Sequence, residues 1–305
     1  MENGFIYQLL VDPITGDALE LSKDRSYLST RSGRTSYEII DGVPKILVVK
    51  GNTVGRSDLH KNNNSDFNYQ EHYEVDSKLF DYSEKNESNA TKHEIRRLHE
   101  SIVRHIKKKS ALILDVGCGN GWVASALVPC GHRVISMDIS LKNPLDSVKI
   151  TNHPNHAGLI SDVYNIPFSR GTFDYIIASE IMEHLPDPLL FVETLVKILK
   201  QNGKLLITTP YNEKIEYCLC VHCNRMTPRH AHLNSFNERN IDRLLKIPGT
   251  TYKTSKFSNK FLSRLRFHII LKHLPFFVWN KVDQLFNFLF QCQTRLKIEL
   301  TKEND

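Results

Sequence analysis

The apolar run ALILDVG, residues 111–117, is followed at once by Gly117, Gly119 and Gly121, and a helical segment begins at about Trp122. This succession of strand, glycine turn and helix constrains the fold more than any other part of the chain. Glycine serves there because the turn takes backbone conformations that a Cβ would block, and because backbone must approach a ligand closely. The arrangement predicts an α/β architecture, a mostly parallel Rossmann-like sheet with helices on both faces and a ligand crevice at the carboxyl ends of the strands. The glycines alone leave dinucleotides and other nucleotide cofactors equally open.

Acids at successive strand ends narrow the choice. Asp115 stands in the pattern DVGCGNG, HRVISMD ends in Asp138, and HAGLIS runs into Asp162, Val163 and then NIPF. The next segments are FDYIIASEIMEHLPDP and GKLLITTPY. From about residue 111 to 212 the chain resembles class I S-adenosylmethionine (SAM)-dependent methyltransferases. The fourth-strand segment is similar to that of ubiquinone-pathway and related small-molecule methyltransferases. The resemblance implies SAM as cofactor, with Asp115 orienting its ammonium group, Asp138 accepting from the ribose hydroxyls and Asp162 from the adenine amino group. Gly117, Cys118, Gly119, Asn120, Ile139, Val163 and Ser179 complete the expected cofactor-binding set.

The sulfonium makes the methyl group electrophilic, so the protein chiefly aligns an acceptor and excludes water. A hydroxyl acceptor gains from a base, whereas a carbon acceptor needs an activated ring or enol. Glu180, Glu183 and His184 follow the fourth strand, in the crevice. His184 is the first candidate base because imidazole titrates near neutrality; holding the turn before the next helix is its structural alternative. Glu180 is expected to shape the site, Tyr211 to face the acceptor and Tyr73 to close the other side. The leading reading is methyl transfer to an oxygen or carbon atom of a small-molecule, glycan or lipid-linked biosynthetic intermediate. An RNA methyltransferase and a non-catalytic SAM-binding adaptor compete with it.

The flanks divide the chain further. Residues 1–50 hold short apolar runs between turn signals, with a first helix expected near Ile6 to Leu10. YEIIDGVPKIL and its surroundings resemble the small domain of tRNA-methyltransferase activator subunits. Asp12 stands where zinc-binding members of that group carry a cysteine, so no zinc is expected there. Residues 51–90 read as a polar linker and an aromatic lid bearing Tyr69, His72, Tyr73, Phe80 and Tyr82, with a helix packed by its aromatic face as the alternative. The catalytic domain is placed at 91–257, its first helix opening at Thr91 with a capping box to Glu94. Within it, the insertion 211–236 carries Cys220, Cys223, His230 and His232, the ligand types of a tetrahedral zinc site; a metal-free loop beside the substrate is the alternative.

Net charge is +6, and from Lys256 onward there are nine Lys/Arg against four Asp/Glu. The excess lies in the tail, which argues against a basic nucleic-acid channel across the catalytic domain. Residues 258–305 read as a basic amphipathic helical extension, fit for an anionic membrane surface, for packing on the catalytic domain or for a homodimer partner. No apolar stretch reaches the roughly 18 residues of a membrane span. A cytoplasmic protein with reduced thiols, in part membrane-associated, is the expectation.

Overall fold

The computed structural model describes residues 4–48, 68–80, 88–221 and 224–304. Its centre is a parallel sheet built on β5 (Leu112–Val116), a strand buried along its whole length. Such a run, without alternation, is what a strand covered on both faces requires. β6 (Arg133–Asp138) and β7 (His156–Ser161) follow on one side, β8 (Phe173–Ser179) and β9 (Leu199–Pro210) on the other. All four pairings in this block are parallel. Helices α3 (Trp122–Leu127), α4 (Lys142–Ile150) and α5 (Pro188–Ile198) lie between these strands in the chain.

Both flanks extend the same sheet. The N-terminal strands β1 (Leu19–Leu21), β2 (Tyr27–Thr30), β3 (Ser36–Ile40) and β4 (Val43–Ile46) form an antiparallel meander. β4 then pairs parallel to β7 through Lys45 with Ile160 and Ile46 with Ser161. Ile6, Leu10, Leu28 and Ile46 share one apolar core with Leu114, Val116 and Met137, so this module is fused to the central sheet. The helix expected near Ile6 to Leu10 is absent: the segment is a turn, and Leu10 bridges Phe168. Asp12 is fully buried and accepts from Ile14 N, Thr15 N, the Thr35 hydroxyl and the Tyr37 hydroxyl. One carboxylate thereby gathers this turn by hydrogen bonds.

At the other flank the sheet is completed by β12 (Thr250–Asn259) and β13 (Gln293–Lys302) in the order β9, β13, β12, with β13 antiparallel to both its neighbours. The helical extension expected over 258–305 is therefore corrected at its C-terminal end, which is a strand. Helices α7 (Lys260–Arg264), α8 (His268–Leu271) and α9 (Phe276–Phe290) fill the connection, and β13 then returns into the sheet. Leu296, Ile298 and Leu300 point inward at alternate positions and are fully buried. Their period of two was present in the sequence as RLKIEL.

Two further helices precede the central sheet in the chain. α1 (Tyr69–Leu79) is capped by Asn68, and α2 (Asn89–Val103) packs Leu98 and Ile102 on the face opposite the first core, beside Ile113, Val134 and Ile177. α2 starts earlier than expected: Ser88 is the cap, its hydroxyl accepting from Thr91 N at 3.1 Å. The intended box from Thr91 to Glu94 is not formed, because Ser88 already satisfies the free amide of the first turn. The expected linker 51–66 and Tyr82 lie outside the described residues. No helix among those described is long and apolar enough to cross a membrane.

Candidate functional site at the carboxyl edge of the sheet

β5 delivers Asp115 into the protein beside the glycine turn. Gly117, Gly119 and Gly121 all have positive φ, +69°, +47° and +70°. At Gly121 a Cβ would lie 3.1 Å from the Cα of Ser147, so glycine is what lets α3 start against α4. A Cβ on Gly119 would meet nothing within 4 Å. There the turn borders open space, and a ligand can come up to the backbone.

Asp115 is buried and its Oδ2 has no hydrogen-bond partner. Burial, and then the nearby Asp138, push its carboxyl well above the usual range. A buried acceptor left open is costly unless a donor arrives. Asp138, at the end of β6, accepts from Ser140 N at 3.0 Å, Asn143 Nδ2 at 3.1 Å and Gly119 N at 3.4 Å. Its carboxylate is thus aimed back at the glycine turn. Cys118 is buried and its thiol is pushed well up by that burial, which suits a packed wall and not a nucleophile. Asn120 is exposed on the turn, Ile139 is half-buried beside Asp138, Val163 is buried after β7, and Ser179 bonds Thr208 across β8 and β9 at 3.0 Å.

Asp162 is covered by α1. Its Oδ2 accepts from the Tyr69 hydroxyl at 2.5 Å and from Gln70 Nε2 at 2.6 Å, and its Oδ1 from Tyr164 N at 3.0 Å. An ionised carboxylate offers about four acceptor positions, so one remains open. The same helix donates no backbone to the sheet but reaches across the crevice: Glu74 accepts from Leu141 N, and the ring of Tyr73 meets that of His184 edge-on at 5.6 Å. α1 is thus a helix packed by its aromatic side and a cover at once. Phe80 at its end is exposed.

Beyond β8 the chain places a dense polar group. Glu180 takes φ +56°, in the left-handed region that a non-glycine residue enters at a cost of about 1–3 kcal/mol. Its Oε2 faces Arg295 Nη1 at 3.2 Å, and its Oε1 is buried without a partner. Arg295 comes from β13 and escaped the sequence reading with that strand. Burial, opposed by Arg295, raises the Glu180 carboxyl. Glu183 is also buried, accepts from the Thr209 hydroxyl at 3.0 Å, and is pushed well up by burial and by Glu180. His184 is lowered to about 4, first by burial and then by His232, so it is neutral at physiological pH.

Ligand atoms of Glu183, His184 and His232 lie within 4.8 Å of one another. His232 Nδ1 in turn meets Glu213 Oε2 at 2.5 Å. Two neutral-capable imidazoles and a carboxylate form a donor set for a divalent cation, with Glu213 orienting one ring.

The zinc set expected in the insertion is not assembled among the described residues. Cys220 sits at the end of an exposed hairpin formed by β10 (Tyr217–Leu219) and β11 (Met226–Pro228), and Cys223 lies outside the described residues. His230 lies beside His232, ring centroids 5.9 Å apart, while His232 turns to Glu183 and His184. The hydroxyl of Tyr211, expected to face the acceptor, bonds Glu238 at 2.8 Å at the surface, and Lys256 lies over its ring. Glu238 and Lys256 form an ion pair there.

With this geometry in place, a family model described as a methyltransferase domain matches residues 84–251, more than half of the chain. The chain belongs to the methyltransferase domain family. Among curated proteins, this methyltransferase-family chain is 30% identical over 151 residues to a ubiquinone biosynthesis O-methyltransferase of Nitrosococcus oceani, covering 46% of this chain and 63% of that protein. It is 26% identical over 144 residues to the protein of the same name from Xanthomonas axonopodis pv. citri, covering 44% and 59%. The chain spans less than two thirds of these relatives' own length. Among solved structures, that of the [4+2]-cyclase SpnF aligns with a TM-score of 0.50 at 13% identity, over 68% of this chain and 81% of that one. This last likeness is one of fold.

Proposed function

We propose that the protein transfers the methyl group of SAM to a hydroxyl of a small or lipid-linked biosynthetic intermediate. The observation that carries the reading is the pair of buried carboxylate oxygens, Asp115 Oδ2 and Glu180 Oε1, left without donors at the ends of the neighbouring strands β5 and β8. The first fits the ammonium of SAM, and the second fits a hydroxyl donor on the acceptor. Asp138 and the open acceptor position of Asp162 fit the ribose hydroxyls and the adenine amino group. Gly117 binds the two halves together, since a Cβ on it would press on the side chain of Ile181, which lies between Glu180 and Glu183.

Family membership supports methyl transfer, and relatives named as O-methyltransferases support oxygen over carbon. SAM supplies the electrophile; the chain's own residues bind, orient and move a proton. His184, held neutral, accepts the hydroxyl proton, while Glu180 fixes the hydroxyl's direction and Tyr73 excludes water from above. If Glu183, His184 and His232 hold a divalent cation, it would make a bound hydroxyl easier to ionise, with His184 then a ligand in place of a base.

Incubation with methyl-labelled SAM and separate lipid, small-metabolite and RNA fractions tests the reading. Label is expected in the lipid or small-metabolite fraction, and His184→Gln should lower turnover by about 10²–10⁴-fold while SAM affinity is kept. Label found in RNA alone, or tight SAM binding with no transfer at all, would overturn it.

A further inference from the structure

α9 carries apolar side chains on its outer face as well as its inner one. Trp279, Phe276, Val282 and Phe286 pack on the second core, and Asp283 and Asn287 are buried with them: Asp283 accepts from Ser258 N at 2.9 Å and Asn259 N at 2.7 Å, and Asn287 accepts from Asn259 Nδ2. On the outer face Phe288 is 80% and Phe277 65% exposed, with Leu285 and Leu289 beside them. Ile269 and Ile270 of α8 and Leu265 after α7 add to the same exposed apolar set. A contiguous apolar surface of this kind marks a contact with another apolar phase.

Charge identifies the phase. Between residues 260 and 292 the cations Lys260, Arg264, Arg266, Lys272 and Lys281 are all exposed, and none is in an ion pair among the described residues. The one acid in that span is the buried Asp283. On the flank of α9, Phe276, Trp279 and Gln284 wall a cavity of about 310 Å³ whose far side carries Arg104 and Lys297. A second copy of the chain docked on this surface would set cations against cations with no acid to pair them. An anionic bilayer meets both the apolar stripe and its basic border.

We propose that α7, α8 and α9 form a docking surface for an anionic phospholipid membrane. Phe277, Leu285 and Phe288 enter the interface, and the lysines and arginines meet the headgroups. β13 re-enters the sheet beside Pro210, at the carboxyl end of β9, so the docking helices leave from the edge that carries the site. That placement suits an acceptor dissolved in the bilayer, and this consequence alone rests on the methyl-transfer reading.

Sedimentation with vesicles of phosphatidylcholine, and of phosphatidylcholine with one quarter phosphatidylglycerol, tests the surface directly. The full chain is expected to bind the anionic vesicles at least about tenfold more tightly, and added salt should weaken that preference. Phe277→Ser with Phe288→Ser should abolish binding without lowering the thermal midpoint or SAM affinity, because both rings are exposed. Arg266→Gln with Lys281→Gln should remove only the preference for anionic vesicles. No binding by the wild-type chain, binding unaffected by the serine pair, or a dimer that the serine pair dissolves in a chain that ignores vesicles would each overturn the proposal.

Discussion

A carboxylate that accepts from Ser140 N, Asn143 and Gly119 N at the end of β6 is held in one orientation before any ligand binds. Asp138 therefore carries a definite prediction. Asp138→Ala removes charge-assisted hydrogen bonds worth about 1.5–3 kcal/mol, which corresponds to roughly ten- to hundredfold weaker SAM binding. Titration calorimetry with SAM or its demethylated product measures this, and unchanged affinity would contradict the role. Asp115, Asp138 and Asp162 were legible in the sequence because each is placed by its own strand. Glu183 and His232 were harder to pair, since 49 residues of chain separate them and their meeting depends on how the insertion folds back. Leu233 N and Asn234 N both donate to the Glu183 carbonyl, and this backbone contact brings His232 over. Cysteine spacing drew attention away from Glu183, Glu213 and His184, which lie beside His232, because ligand type says nothing about which face of a hairpin a side chain takes.

Among the elements, the contact of α2 with α3 ties a titratable group to folding. His99 of α2 stacks on Trp122 of α3, with ring centroids 3.7 Å apart and planes within 3°. Burial lowers its imidazole from 6.5 to about 4. Below about pH 6.5 the unfolded chain takes up a proton that folded His99 refuses until about pH 4. Its contribution to stability is thus whole above that window and is lost as pH falls through it. His99→Gln cannot titrate, so its thermal midpoint should fall less than that of the wild type between neutral pH and about pH 5. Circular-dichroism melts of the two proteins decide it, and parallel falls would show that His99 is not the group concerned. The apolar face of α2 could be read from its helical period, whereas the ring stack could not, because Trp122 opens α3 in a direction set by the glycine turn before it.

Among the described residues, eleven strands from β1 to β13 form one sheet, with the β10–β11 hairpin apart from it. The parallel block was legible because each strand carries a short buried apolar run, LIL in β5, GLI in β7, YIIA in β8 and LLI in β9, that ends in a turn or a polar residue. The C-terminal strand was not, because its alternation lay next to a long helical pattern with aromatic and basic residues. Removing residues 293–305 should prevent folding. It takes away three fully buried side chains, Leu296, Ile298 and Leu300, at about 1.5–3 kcal/mol each, together with hydrogen-bond ladders on two sides, from a typical total near 5–15 kcal/mol. A soluble truncated chain with a cooperative melt would refute this.

The same insertion bears on how the protein is made. β13 lies between β9 and β12, so β9 emerges from the ribosome long before the strand that covers it. Until residue 302 has been synthesised, its edge presents unpaired amides and carbonyls beside the exposed apolar helices. The nascent chain is therefore open to wrong strand partners during that interval, and a chaperone that shields β9, or faster translation through β12 and β13, should raise the yield of folded protein more than either would for a sheet laid down in chain order.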